Sequence, residues 1–359
     1  MALEFKSVTF RAGGETHIYE TDLTLEPGGF NTLLGTTLAG KTTLMQLMAG
    51  ILKPASGEVW FDGRNVTGVS VQKRNVSMVY QQFINYPNMS VFENIASPLR
   101  VARLPAAEIK ERVHRFADLM RLTPMLQRRP SELSGGQQQR TAMARALVKD
   151  ADLVLLDEPL ANLDFKLREE LRDELPKLFA DRNCTVVYAT TEPSEALLLG
   201  GHTAALHEGR VIAFGPTGQL YRKPDNLKAA EVFSEPPINA IRAVKAGDRF
   251  SIDETAGWTA TERSAALPDG TYHLGVRPHH LTPVADEADR IALEGRVIIT
   301  EISGSESVVH FDHLGATLIS QAHGIHALEI GQTARFGFRE RDCLFFTEQG
   351  DRIALEGAH

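Results

Sequence analysis

Residues 35–43, GTTLAGKTT, are the feature that most restricts the fold of this 359-residue chain. They fit the pattern G-x-x-x-x-G-K-[ST], follow the apolar run FNTLLG and lead into TTLMQLMAG, which has helical spacing. At such a strand-to-helix turn backbone amides surround a phosphate, Lys41 brings positive charge and Thr42 offers a hydroxyl to Mg²⁺. We therefore predict a phosphate-binding loop, not an ordinary glycine-rich turn, made of Gly35, Thr36, Thr37, Leu38, Ala39, Gly40, Lys41, Thr42 and Thr43.

The apolar stretch LVLLDEP at residues 153–159 supplies the second half of such a site. Its strand ends at Asp157, which we expect to face the metal through water, and Glu158, which we expect beside the attacking water. Two acids after a strand would by themselves form a solvated turn or a helix cap. Because a phosphate-binding loop precedes them, we predict that Glu158 is catalytic and that Asp157 serves the metal.

Hydrophobic patterning predicts two domains of different class. The runs FNTLLG, VSMVYQ, DLVLLDEP and TVVYAT are apolar throughout, which is typical of parallel strands buried on both faces. Between about residue 88 and residue 150 the pattern is helical, whereas short alternating segments follow a Pro-punctuated stretch that starts near residue 216. We predict an α/β P-loop ATPase domain over 1–235 with a mostly parallel sheet and an inserted helical subdomain, then a small OB-like β-barrel over 236–359.

Composition excludes several classes of function. A formal net charge of -8 argues against a nucleic-acid partner, because general nucleic-acid binders need a basic surface. No apolar run of about 18 residues is present to span a bilayer, and the amino terminus lacks the pattern of a signal peptide. We therefore expect a cytosolic chain.

The segment LSGGQQQR, residues 133–140, is the most specific motif in the chain. By itself it predicts a flexible turn and a serine that caps a helix. Together with the phosphate-binding loop and the acid pair, it makes the chain resemble the ATP-binding-cassette (ABC) ATPases. QQFINYPN then resembles the loop in which Gln81 lies near Mg²⁺, and ANLD resembles the loop in which Asp164 faces a second ATPase. The β-domain, with GVRPHHL, is similar to the accessory barrel of the carbohydrate-importer branch.

This resemblance implies a shared active site. In the family two cassettes dimerise head to tail, so that each ATP lies between one P-loop and the other chain's signature. The signature residues that would act on the partner's ATP are Ser134, Gly135, Gly136 and Gln137. ATP and Mg²⁺ are the implied ligands, and the implied ligands of Mg²⁺ are Thr42, Asp157 and Gln81.

The resemblance also implies partners and a location. The chain would be the energy-coupling subunit of an importer, peripheral on the cytoplasmic face of the inner membrane. It would bind two transmembrane permease subunits and serve a periplasmic solute-binding protein indirectly.

One departure from the family pattern concerns catalysis. The importer family usually has a switch histidine two residues ahead of Pro193, where this chain has Thr191. A hydroxyl cannot become cationic, and losing one polar contact to a transition state costs about 3 kcal/mol, or roughly a hundredfold in rate. We expect slow hydrolysis at this chain's own P-loop. The alternative is that Thr191 only helps to start the helix led by Pro193, with catalysis resting on Glu158.

Two further departures concern nucleotide binding. Leu38 and Ala39 stand where the family commonly has glycine and a small polar residue, so the loop must avoid positive φ or bear strain there. The aromatic residue that would stack on adenine is not obvious, and Phe10, His17 and Tyr19 are the candidates.

The signature and Asp164 match the family pattern, whereas the residues that form this chain's own P-loop site depart from it. We therefore predict a second, non-identical ABC ATPase as partner. The segments TLAGKTTLMQLMAG, NVSMVYQQFINYPN and YATTEPSEALLL look most like one ATPase of the two-ATPase glycerol importers, so glycerol is the expected solute from resemblance alone. The alternatives are a non-hydrolysing regulatory subunit, a homodimeric sugar-importer ATPase, and an ABC-class ATPase that acts on nucleic acid or ribosomes.

Overall fold

The computed structural model describes residues 2–161, 163–180, 182, 184–283 and 290–355. The chain divides into two compact units, Met1–Gly218 and Gln219–His359.

Ten strands in the described part of the first unit form two sheets. They are β1 (Leu3–Ala12), β2 (Glu15–Thr24), β3 (Phe30–Leu34), β4 (Ser56–Phe61), β5 (Arg64–Asn65), β6 (Val76–Val79), β7 (Leu153–Asp157), β8 (Thr185–Thr190), β9 (His202–His207) and β10 (Arg210–Pro216). The larger sheet has the order β10-β9-β3-β8-β7-β6, and the smaller has the order β2-β1-β4-β5. In the larger sheet every pairing is parallel except that of β9 with β10.

The central strands of the larger sheet are buried on both faces. Every residue of β7 and of β8 is buried. Along β7, Val154 and Leu156 belong to one hydrophobic core, whereas Leu153 and Leu155 belong to the core on the opposite face. This confirms the parallel sheet predicted from uninterrupted apolar runs. Because parallel strands end at one edge, the residues after β3, β7 and β8 lie close together.

In the described residues six helices are contained in the first unit, and a seventh spans the division. They are α1 (Lys41–Ala49), α2 (Val91–Val101), α3 (Ala106–Leu119), α4 (Gly135–Leu147), α5 (Phe165–Ala180), α6 (Pro193–Leu199) and α7 (Thr217–Arg222). Helices α2 to α4 form the inserted helical segment that the sequence predicts. Reciprocal caps start two of them, because the Ser90 hydroxyl accepts from the Glu93 amide at 3.2 Å and Ser134 likewise caps α4. No helix in the described residues is long and apolar enough to cross a membrane.

The second unit is built from short antiparallel strands around one core. The strands are β11 (Asn239–Ala246), β12 (Arg249–Ser251), β13 (Gly257–Thr259), β14 (Gly270–Val276), β15 (Thr282–Pro283), β16 (Ile291–Ile302), β17 (Glu306–His313), β18 (Ala316–His323), β19 (Thr333–Phe338), β20 (Leu344–Thr347) and β21 (Arg352–Ile353). Two short helices, α8 (Leu227–Val232) and α9 (Glu262–Ala265), accompany them.

Both sheets of this unit contribute to one shared hydrophobic core. Their orders are β13-β12-β11-β14-β20-β21 and β15-β19-β16-β17-β18. Residues alternate between buried and exposed along β11, as expected for a sheet with one face in the core. The core includes Phe250 and Phe345 from the first sheet and a stacked pair, Phe311 and Phe336, from the second. The structure therefore confirms the predicted small, barrel-like β-domain.

The units divide earlier than the boundary predicted after residue 235. The buried guanidinium of Arg277 explains the difference, because it donates to the Tyr221 carbonyl at 2.6 Å and to the Ser234 hydroxyl at 2.7 Å. It also lies 3.7 Å from the centre of the Tyr221 ring. The Pro-punctuated segment is thus bonded into the β-domain instead of linking the domains.

Candidate functional site

The loop between β3 and α1 forms an open anion cradle. Gly40 is the residue before α1, has a φ of 104° and provides no side-chain cap, so the first amides of α1 are free for an anion. A Cβ at Gly40 would lie 2.8 Å from Ile18 Cδ1 as well as being strained by that φ. The Lys41 ammonium donates to the carbonyls of Gly35 at 2.8 Å and Thr36 at 3.1 Å. Cation and amides therefore meet in one place.

Leu38 takes the strained conformation that the sequence left open. Its φ is 67°, in the left-handed region that disfavours a leucine by roughly 1–2 kcal/mol. Its side chain is 95% exposed, whereas Ala39 beside it is buried. The loop thus keeps the phosphate-binding shape without glycine at this position.

Asp157 and Thr42 form a buried oxygen pair next to the cradle. Asp157 is 2% exposed, and the Thr42 hydroxyl donates to its Oδ2 at 2.8 Å. Burial raises the pKa of the Asp157 carboxyl and thereby disfavours its ionised form, an effect that a cation placed beside it would oppose. Carboxylate and hydroxyl oxygens are the ligand chemistry that Mg²⁺ prefers.

Glu158 is held from two sides. Gln81 Nε2 donates to its Oε2 at 3.1 Å, and the Lys41 ammonium lies 3.4 Å from its Oε1. Burial lowers the pKa of Lys41, and the charge of Glu158 opposes that shift. The Glu158 backbone has a φ of 46°, a conformation that turns the chain sharply at the end of β7.

A cavity of about 210 Å³ connects these groups. It is lined by His17, Thr37, Leu38, Gly40, Lys41, Thr42, Thr43, Gln81 and Glu158. The structure therefore brings the predicted loop, the predicted general base and Gln81 to one place.

The two threonines after β8 have different environments. Thr190 is buried, donates to Glu195 Oε2 at 2.6 Å and accepts from the Glu192 amide at 3.0 Å. Thr191 is exposed, and its hydroxyl makes no hydrogen bond in the described part of the chain. The residue that caps α6 is Glu192. In the described residues the turn before α6 is held by a hydrogen bond to Thr190 and not by one to Thr191, while the proposal that catalysis rests on Glu158 stays a prediction.

The signature residues lie apart from the cavity. Ser134 caps α4, Gly135 and Gly136 form its first turn, and Gln137 Oε1 accepts from the Ser134 amide at 3.0 Å. Asp164 starts α5, where its Oδ1 accepts from the Leu167 amide at 3.1 Å. None of these side chains is among the described residues that line the cavity. Asn162 of the same ANLD segment lies outside the described residues.

Of the three candidates for a base-stacking ring, one faces the cavity. Phe10 packs against the hydrophobic core of the first unit. Tyr19 is covered by the Arg210 guanidinium, 3.8 Å from the ring centre. His17 is exposed and lines the cavity, which makes its imidazole the candidate best placed for a nucleobase.

Sequence reasoning missed a polar network behind the switch position. Glu195 is buried and accepts from the Tyr188 hydroxyl at 3.0 Å as well as from Thr190. Burial raises the pKa of the Glu195 carboxyl, and these hydrogen bonds partly oppose the shift. Beside it, Arg168 of α5 donates to Glu192 Oε1 at 3.1 Å. The available signal was an ionisable residue in a short helix that otherwise ends in an apolar run.

Comparison with known proteins identifies two family models in this chain. The model described as ABC transporter matches residues 18–161, and the model described as TOBE domain matches residues 274–346.

Similar proteins cover nearly the whole chain. The sn-glycerol-3-phosphate import ATP-binding protein of Pectobacterium atrosepticum is 34% identical, over 92% of this chain and 93% of its own length. The xylose/arabinose import ATP-binding protein of Haloferax volcanii is 33% identical, over 97% and 93%. The maltose/maltodextrin import ATP-binding protein of Yersinia pestis is 32% identical, over 96% and 95%.

Solved structures resemble the ATPase part. Two structures of a dimeric bacterial ABC transporter cassette, one of them in a post-hydrolysis state with ADP and Pi, are 28% identical to this chain. They match 60% of this chain and 98% of their own, with TM-scores of 0.55 and 0.56.

Proposed function

Since the chain belongs to the ABC transporter family, in the branch of ATP-binding proteins that power carbohydrate import, we propose that it hydrolyses ATP for import of a small polyol, with glycerol the first candidate. The observation that carries the catalytic part is the convergence of Lys41, Glu158 and Gln81 on one cavity. Glycerol is supported by resemblance and by a relative named for a glycerol phosphate.

The cavity residues divide the work of phosphoryl transfer. The free amides of α1 and the Lys41 ammonium bind the β- and γ-phosphates. Thr42, Asp157 and Gln81 would hold Mg²⁺, which supplies neutralisation of phosphate charge when bound. Glu158 then accepts a proton from the attacking water as general base.

The contacts at Glu158 suggest how ATP switches the site. The Lys41 ammonium is shared between loop carbonyls and Glu158. Phosphate oxygens compete for the same ammonium and so free one oxygen of Glu158 for water. The binding of the γ-phosphate thereby favours the hydrolytic arrangement.

The assembly we propose is asymmetric. This chain contributes an intact signature, Ser134 to Gln137, to a second, non-identical ATPase, while its own P-loop site is slowed by Thr191. Two permease subunits anchor the pair at the cytoplasmic face of the inner membrane, and a periplasmic solute-binding protein delivers the solute. The alternative is a dimer of two copies of this chain with two equal sites.

Purification from a detergent extract through a tag on this chain tests the assembly. We expect an unlike ABC ATPase and two permease subunits to co-purify, and the full complex to turn over ATP faster per ATPase subunit than this chain alone. Robust turnover by the chain alone, unaffected by Thr191→Ala, would contradict the asymmetric assembly.

A groove beside the Gln81 loop is the proposed permease contact. It has a volume of about 350 Å³ and is lined by residues of β6, α2 and α4, among them Val101 and Arg145, and by Tyr86 and Lys149 outside these elements. Val101 is 85% exposed, and Tyr86 is also exposed. Arg145 packs on the Tyr86 ring, and its Nη1 has no acceptor in the described part of the chain. An apolar permease segment fits this lining.

We expect Val101→Asp to reduce recovery of permease subunits with this chain at least about tenfold, because a charge placed in the groove loses a central apolar contact. Quantitative co-purification measures the effect. The matched control is Ile330→Asp, which puts the same charge on an exposed apolar residue of the second unit. Equal recovery with Val101→Asp and wild type would exclude the groove as the contact.

His17 is the proposed base contact. Since stacking of a base on an aromatic ring contributes about 1–3 kcal/mol, we expect His17→Ala to raise the Kd for ATP roughly tenfold. The Kd for inorganic triphosphate, which has no base, should stay unchanged, and Tyr19→Ala should have little effect on either ligand. A parallel loss of triphosphate binding in His17→Ala would show that His17 acts on the phosphates instead.

A further inference from the structure

Arg168 joins the two loops that carry the proposed catalytic groups. Its Nη1 donates to Glu192 Oε1 at 3.1 Å, and its Nη2 donates to the Ala161 carbonyl at 3.1 Å. Glu192 directly follows Thr191, whereas Ala161 belongs to the turn that begins at Glu158. We call Thr191–Glu192 the switch loop and Glu158–Ala161 the acid turn. One guanidinium therefore bridges the switch loop and the acid turn.

The hydrogen bonds around Arg168 close a ring. The Ala161 amide donates to the Glu158 carbonyl at 3.4 Å, and the Glu158 amide donates to the Ala189 carbonyl of β8 at 3.0 Å. At the other end, the Glu192 amide donates to the Thr190 hydroxyl at 3.0 Å. The ring thus runs from β8 through the acid turn and Arg168 to the switch loop, and back to β8.

The stability of α5 does not explain an arginine at this position. Arg168 lies in the first turn of α5, where the helix dipole disfavours a cation. Its Nε is also buried and has no acceptor in the described part of the chain, which is a further cost. The benefit that remains is the bridge, because the planar fork of arginine suits two acceptors on separate elements.

We propose that Arg168 is a positioning residue for ATP hydrolysis: it fixes the distance between Glu158 and residue 191. Thr191 itself makes no hydrogen bond in the described residues, so its place depends on its neighbours Thr190 and Glu192. Thr190 is fixed by buried Glu195, and Glu192 is fixed by Arg168. This inference rests on the proposed roles of Glu158 and of the Thr191 position.

Variants of the full-length chain test the bridge through single-turnover hydrolysis. For Arg168→Ala we expect the maximal rate of ATP hydrolysis to fall by about tenfold to a hundredfold, because a misplacement of about 1 Å in an active site has a cost of this size. The ATP concentration that gives half the maximal rate should stay unchanged. Glu192→Gln should give a similar loss, and the double variant should lose no more than either single variant, because both remove one bridge. Arg168→Lys should be intermediate, since an ammonium does not reproduce the fork.

The control is Lys177→Ala, which breaks an exposed ion pair with Glu174 on the same helix and should leave the rate unchanged.

Hydrogen exchange without nucleotide gives a second readout, in which the amides of the switch loop should exchange faster in Arg168→Ala and Glu192→Gln at equal global stability. Unchanged exchange and unchanged rates in an active protein would overturn the bridge. If Arg168→Ala does not fold, the half-exposed Glu192→Gln decides alone. Absence of hydrolysis in the wild type would refute the proposed function, while the exchange measurement still tests the bridge.

Discussion

Glu158→Gln lowers the maximal rate of ATP hydrolysis at this chain's P-loop by about a hundredfold to ten-thousandfold and leaves the Kd for ATP within about threefold of wild type. The amide keeps the size of the side chain but cannot accept a proton from water. Binding is retained because the α1 amides and Lys41, which also bonds the carbonyls of Gly35 and Thr36, are untouched. Single-turnover hydrolysis with protein in excess over ATP is the appropriate measurement. In a preparation of this chain alone every P-loop is identical, so the rate belongs to one kind of site.

Glu174→Gln is the matched control, because Glu174 is an exposed acid that pairs with Lys177 on the surface of α5. It should hydrolyse ATP at the wild-type rate. A Glu158→Gln protein that keeps more than a third of wild-type activity would mean that another group activates the water.

Thr191→His raises the single-turnover rate of the isolated chain, by up to roughly a hundredfold. An imidazole at this position can reach further than a hydroxyl and can carry charge, so it adds a polar contact to the transition state worth on the order of 3 kcal/mol. The exposure of Thr191 and its freedom from hydrogen bonds in the described residues leave room for the ring. The gain should appear in the rate and not in the Kd for ATP.

Thr190→Ser is the control that separates this effect from a change in the turn, since a serine hydroxyl retains the bonds to Glu195 and Glu192. It should leave the rate near wild type. If Thr191→His gives no gain in a stable protein, the slow half-site and the argument for an unlike ATPase partner both lose their support.

Contiguous motifs made most of the site predictable. The phosphate-binding loop and Glu158 each follow an apolar strand, Asp157 ends one, and the parallel strands β3, β8 and β7 bring their ends to one edge. The bridge formed by Arg168 could not be predicted in this way. Its acceptor Glu192 is 24 residues away in sequence, and the contact exists only because α5 starts beside the end of β8.

The different roles of the adjacent Thr190 and Thr191 could not be predicted from the sequence either. Whether Thr190 or Thr191 is buried depends on the residue at which β8 ends, and the sequence letters TT do not specify it. The difference between the predicted boundary and the division of the two units has a similar reason. Proline-rich composition predicts a linker. Arg277 lies 43 residues from Ser234 and 56 from Tyr221, so its hydrogen bonds to that segment cannot be predicted from the local sequence.

The buried guanidinium of Arg277 decides where the chain can be cut. A recombinant fragment that starts at residue 236 lacks both the Tyr221 carbonyl and the Ser234 hydroxyl, and leaves a buried cation without those acceptors. Separate expression of the C-terminal domain, for crystallisation or for ligand screening, therefore has to begin upstream of Tyr221.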